Sequence, residues 1–142
     1  MPMIDIYAIE GTFADIRRLA SDAAALIKRV EQVPDIPMFR ESTAAFIHEM
    51  PAGAIANVDG NDNYVRVQVL TNAGALDRDK QIALVEQLTE LVATAANNAE
   101  LKKRTWVLLT EATQGGWGLW GHAHTNEELV GAARAEIARS RG

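Results

Sequence analysis

Apolar and polar positions alternate from Met3 to Ile9, with Ile4, Ile6 and Ala8 on one side and Met3, Asp5, Tyr7 and Ile9 on the other. This period of two predicts a short strand, broken by Glu10-Gly11-Thr12. From Asp15 to about Val30 the period changes. Ile16, Leu19, Ala20, Ala23, Leu26, Ile27 and Val30 recur at helical spacing and form one apolar stripe. Pro34 and Pro37 interrupt the pattern, and Thr43 to His48 predicts a second strand ending at Glu49-Met50-Pro51-Ala52-Gly53. After the turn cluster Asp59-Gly60-Asn61-Asp62-Asn63, the same order returns. Val65, Val67 and Val69 alternate with Arg66, Gln68 and Leu70. Asp77 opens a helix running to about Ala95, with Ile82, Val85, Leu88, Leu91 and Val92 expected on its buried side, and Thr105 to Thr110 predicts another strand. A last helix, about 126–140, is capped by Thr125 or Asn126 and packs Leu129, Val130, Ala133 and Ile137.

Sliding the chain against itself by 62 residues aligns Asp15 with Asp77, Leu26 with Leu88, Val30 with Val92, Thr43 with Thr105, Glu49 with Glu111 and Gly53 with Gly115. An internal duplication is the simplest account, with one repeat over about 2–60 and the other over about 63–124 of a single 142-residue domain. A helical crossover of this length favours parallel pairing within each repeat. The fold expected is α+β: tandem β-α-β repeats joined into a four-stranded mixed sheet, two helices on one face, and a C-terminal helix. The opposite face carries Asp5, Tyr7, Arg66 and Gln68. Such a mixed face is expected to meet other subunits.

Composition narrows the classes. The net charge is -5 with no lysine- or arginine-rich block, which argues against a nucleic-acid partner. No apolar run approaches the ~20 residues that cross a bilayer, and the first residues lack the pattern of a signal peptide, so a cytoplasmic protein without a membrane partner is expected. The chain has no cysteine, which removes thiolate catalysis and cysteine-based zinc sites.

Pro2 directly precedes the first strand. If Met1 is removed, Pro2 becomes a secondary amine able to accept a proton or attack an electrophile. An exposed α-amino group titrates near ~7.7–8.0, and partial burial beside apolar groups lowers that value toward the range of a general base.

Residues 2–11, Pro-Met-Ile-Asp-Ile-Tyr-Ala-Ile-Glu-Gly, resemble the opening of 4-oxalocrotonate tautomerases. Thr105-Trp106-Val107-Leu108-Leu109-Thr110-Glu111 followed by Gly115-Gly116-Trp117-Gly118-Leu119-Trp120-Gly121 is similar to that family's second strand and glycine-rich hairpin. Glu49-Met50-Pro51-Ala52-Gly53 is similar to the fused, double-length branch that includes cis-3-chloroacrylic acid dehalogenase. The resemblance spans about residues 2–124. It implies the tautomerase/MIF-like fold, a homotrimer, no cofactor, and an amino-terminal proline acting as base in 1,3-keto-enol proton transfer on a small carboxylic or enol substrate. That role falls on Pro2, while Asn63 stands where the second repeat's proline is expected.

The resemblance also implies arginines that hold substrate carboxylates, but the matching positions carry Thr12 and Ala75, and Ala44 and Trp106. Arg40, before the second strand, and Arg66, on the third, are the candidate replacements, and Trp106 and Trp117 are candidates to wall a pocket around Pro2. The tyrosine and glutamate implied by the dehalogenase branch are replaced by Leu108 and about Leu119. His122 and His124 share one side of an extended segment, too few ligands to expect a metal site. An isomerase of small enol or keto acids leads. A hydratase or dehalogenase of an unsaturated acid, and a non-catalytic trimeric ligand-binding scaffold, stay open.

Overall fold

A computed structural model describes all 142 residues. The chain runs β1 (Met3–Ile9), α1 (Ile16–Glu31), α2 (Pro37–Glu41), β2 (Ala44–Met50), β3 (Val65–Thr71), α3 (Arg78–Ala95), β4 (Thr105–Glu111), β5 (Trp117–Leu119), β6 (His122–His124) and α4 (Asn126–Arg141), with a 3-10 turn over Ala99–Arg104. The four long strands form one mixed sheet in the order β2-β1-β3-β4. β1 pairs parallel with β2, β3 parallel with β4, and β1 antiparallel with β3, with Ile6 opposite Val67. This is the expected α+β sheet. β1 begins at Met3 and β3 at Val65, 62 residues later; α1 and α3 begin at Ile16 and Arg78, again 62 apart.

α1 and α3 each start where an aspartate side chain caps them. Asp15 accepts from the Arg18 N–H at 3.0 Å and Asp77 from the Lys80 N–H at 2.9 Å. The helices lie on the face of the sheet to which Ile4, Ile6, Ala8, Val65, Val67 and Val69 point, and these residues form the core with Leu19, Ala23, Leu26, Ile27, Leu84, Leu88 and Val92. The strand pattern predicts this core side correctly because side-chain direction alternates strictly along a strand. On α3 the prediction slips. Ile82 is half exposed while Leu84 is fully buried, so the apolar stripe turns away from Ile82 toward Leu84, Leu88 and Val92. On α4, Leu129 and Ala133 are buried, but Val130 remains 48% exposed.

The other sheet face is uncovered within the chain. Phe46, Trp106 and Leu108 stand 48%, 52% and 42% exposed. Between them, His48 Nε2 lies 2.7 Å from Asp5 and the His48 ring stacks on Tyr7 at 4.2 Å. A second apolar cluster lies away from the main core, where Met1, Met38, Trp117, Leu129 and Ala133 meet. β5 and β6 form the predicted hairpin, turning through Trp120 and Gly121, both left-handed at φ 54° and 73°. No helix is long and apolar enough to cross a membrane.

Candidate active site

The site is assembled around the start of β1. Pro2 is fully buried, and Met1, joined to it, is 3% exposed within the second apolar cluster. α4 forms the roof. Its first turn is fixed by a capping box, in which the Glu128 N–H donates to Thr125 and the Glu128 carboxylate accepts from the Thr125 N–H. Its start is tied to the loops after β3 and β4, because the Asn126 side-chain amide donates to the Ala73 carbonyl at 2.7 Å and its backbone N–H to Gln114 Oε1 at 3.0 Å. Farther along, Glu136 accepts from the Met38 N–H at 3.2 Å. Leu129 and Ala133, one turn apart, then face down onto Met1 and Trp117.

Under this roof lies a cavity of about 400 Å³. Its walls are largely apolar and include Phe39, Leu129, Val130 and Ile137; its polar lining includes Met1, Glu31, Asn72 and Arg134. The Met1 amine lies 3.5 Å from Glu31 Oε1, and both groups are almost wholly covered. Burial holds the amine below its ordinary value of 8.0 against the opposing pull of Glu31. Burial likewise pushes the Glu31 carboxyl above its ordinary 4.5, opposed by the amine and by Lys80. At the start of β1, burial thus favours the neutral form of both the amine and the carboxyl. Two more features converge here. The Asn72 Nδ2 is buried without a hydrogen-bond partner, and Arg134 enters none of the chain's ion pairs.

Of the five candidates read from the sequence, the fold brings Pro2 and Trp117 to this end of the molecule. Trp106 lies on the uncovered sheet face, stacked on Tyr64 at 5.1 Å. Arg66 is on that face too, its guanidinium 5.5 Å from the Tyr7 ring and donating to Gln68 at 2.7 Å. Arg40 donates to Asp35 at 3.0 Å and lines a separate groove with Thr43 and Ala44. The Asn63 correspondence shifts by one residue, since strands beginning 62 residues apart make Tyr64 the repeat counterpart of Pro2.

Glu31, Asn72 and Arg134 escaped sequence reasoning. Glu31 ends a helix and reads as a solvated charge, and only the return of α4 brings position 134 to the same cavity. His122, His124 and Glu128 do gather, with ligand atoms within 4.8 Å of one another. There the His122 ring bonds the Glu128 carboxylate and His124 Nε2 bonds the Leu119 carbonyl, ties that fasten the hairpin to α4.

No protein-family model matches the chain, and no curated protein does. Solved structures do. N1, a member of the cis-3-chloroacrylic acid dehalogenase family, superposes with a TM-score of 0.71 at 17% identity, covering 92% of this chain and 90% of its own. A fused 4-OT, solved as an asymmetric trimer, gives 0.70 at 20% identity over 89% of this chain and 98% of its own. Malonate semialdehyde decarboxylase, described as having decarboxylase and hydratase activities, gives 0.67 at 17% identity over 92% and 98%. The chain therefore has the tautomerase/MIF-like fold, shared among proteins of more than one chemistry.

Proposed function

We propose that the protein is an isomerase that moves a proton between oxygen and carbon of a small enol or keto acid, with Pro2 as general base once Met1 is removed. The observation that carries this is the burial of the amino terminus: Pro2 is fully buried, and Met1, joined to it, lines a largely apolar cavity with Glu31, where burial holds the Met1 amine below its ordinary value. Removing Met1 takes away the residue that seals Pro2 and opens its space to the cavity, with a secondary amine at the exposed end. In the forward direction, the Pro2 nitrogen takes the enol hydroxyl proton at C2 and delivers it to C3. The C2=C3 bond becomes single, the C2 carbonyl forms, and the amine is regenerated. Trp117 and Leu129 keep water from the nitrogen.

The working form is a homotrimer. The uncovered sheet face, with Phe46, Trp106 and Leu108 exposed, supplies the surface for assembly. Trimeric fused 4-OT structures of the same fold support that reading.

The test is ketonisation of phenylenolpyruvate and 2-hydroxymuconate by protein shown by intact mass to begin at Pro2, beside a Pro2→Ala control. Turnover abolished or sharply reduced in the control supports the proposal; equal turnover by both sinks it. One observation favours a second reading. With Met1 in place, Pro2 is a fully buried amide, and such a chain is a ligand-binding scaffold without a base. Uniform retention of Met1 in the native protein selects that reading.

A further inference from the structure

We infer that His122, His124 and Glu128 form a binding site for one divalent transition-metal ion of the zinc class, which clips the β5–β6 hairpin to the first turn of α4.

The sequence shows two of these ligands, and the fold supplies the third. Strand periodicity puts His122 and His124 on one side of β6, and α4 begins so soon afterwards that its first turn carries Glu128 back beside them. The three ligand atoms lie within 4.8 Å of one another. Two imidazoles and a carboxylate are donors that suit zinc, nickel or copper, whereas magnesium and calcium take oxygen ligands.

Two of the ligands are already oriented by a bond behind them, as ligating side chains generally are. His124 Nε2–H donates to the Leu119 carbonyl at 2.8 Å. That bond places the hydrogen of the neutral ring on Nε2 and leaves the Nδ1 lone pair for a metal. Glu128 Oε1 accepts from the Thr125 N–H at 3.3 Å and from its hydroxyl at 3.2 Å, so Oε2 is the oxygen turned toward His122. The ion takes the place of the proton between His122 and Glu128. These two side chains are 58% and 46% exposed, which lets the ion enter from solvent. Closing the ligands to the ~2.0–2.2 Å of zinc bonds takes rotation of side chains that have room to turn, and the fourth tetrahedral position is left for water.

None of the three residues lines the cavity under α4, but Asn126 and Leu129, beside Glu128 on the same helix, do. The ion therefore acts on the roof from outside, fixing the turn that closes the cavity. Its role is separate from the proton transfer proposed for Pro2.

The experiment titrates zinc chloride, and separately magnesium chloride, into chelator-stripped full-length protein without an affinity tag, followed by calorimetry. One saturating zinc ion per chain is expected, with no saturable magnesium binding. His122→Ala and His124→Ala are each expected to weaken zinc binding about tenfold or more. Glu128→Gln keeps a residue able to complete the capping box but loses the carboxylate, and is expected to weaken zinc as well. In hydrogen exchange, saturating zinc is expected to slow residues 122–130 of the wild type and to leave the His122→Ala/His124→Ala double variant unchanged. The inference is overturned by the absence of saturable zinc binding, by binding that survives the double substitution, by magnesium binding as tight as zinc, or by bound zinc that leaves exchange in the hairpin and α4 unaltered.

Discussion

The two repeats build the same end twice and equip only one. At the start of β1 the chain offers a terminal amine, the end of α1 offers Glu31, and the loop after β3 closes the far wall. At the start of β3 the corresponding cavity is about 200 Å³ and is lined by Asn63, Tyr64, the 3-10 turn residues Leu101 and Arg104, and Thr12 from the loop after β1. There the backbone runs on through an amide, Arg104 Nε donates to the Asn63 carbonyl at 2.9 Å, and the Tyr64 hydroxyl accepts from Asn57 at 2.7 Å. The repeat offset puts Ala93, also buried, where the first repeat has Glu31. α4 roofs only the first end. A symmetric scaffold becomes a one-sided site through a chain terminus, one buried carboxyl and one added helix.

Substituting the two equivalent strand-start positions breaks this comparison most severely. In protein that begins at residue 2, Pro2→Ala is expected to lower ketonisation about 100-fold or more, while Tyr64→Ala stays within about threefold of wild type, read as kcat/KM on one enol substrate. Next in size is the roof. Leu129 is 6% exposed between α4 and Met1, and Leu129→Ala is expected to cost about 2–4 kcal/mol in urea unfolding, with faster amide exchange concentrated in α4.

A smaller, pH-dependent effect belongs to Glu31. Because its folded value lies above 4.5, the fold favours the protonated carboxyl; that contribution is complete below 4.5 and is lost as pH rises through the folded value. Glu31→Gln lacks this titration. Its urea midpoint is therefore expected to gain on wild type as pH climbs from about 4 to about 8. A constant difference across that range contradicts the buried-charge account. The smallest effects are expected where the repeats agree. Asp15→Ala and Asp77→Ala each remove one N-cap bond and are expected to lose about 1 kcal/mol apiece, seen as similar drops in thermal midpoint.

What the sequence makes legible follows from short-range physics. β1 and β3 announce themselves by strict alternation, and Asp15, Asp77 and Thr125 mark helix starts because a side-chain oxygen there satisfies an N–H of the first turn. α2 escapes notice because five residues after Pro37 carry too little periodicity, and the 3-10 turn over Ala99–Arg104 reads as polar linker. The site is only half legible. Pro2 and Trp117 come from local motifs, but Trp106, of the same residue type, falls on the opposite sheet face through the register of β4. Glu31, Asn72 and Arg134 are far apart in sequence and converge only because α4 folds back over the amino terminus. No local pattern encodes that return.

The central claim is that this end of the fold tunes an amino-terminal proline into a base. The most direct measurement is an NMR pH titration of the Pro2 nitrogen in ¹⁵N-proline-labelled protein confirmed by mass to begin at Pro2. The account predicts a midpoint well below that of a Pro-first peptide of the same opening sequence, because Pro2 sits in a fully buried position and burial disfavours the charged amine. A midpoint at or above the peptide's contradicts it: the amine would then remain protonated at neutral pH, and the cavity would not be tuning a base.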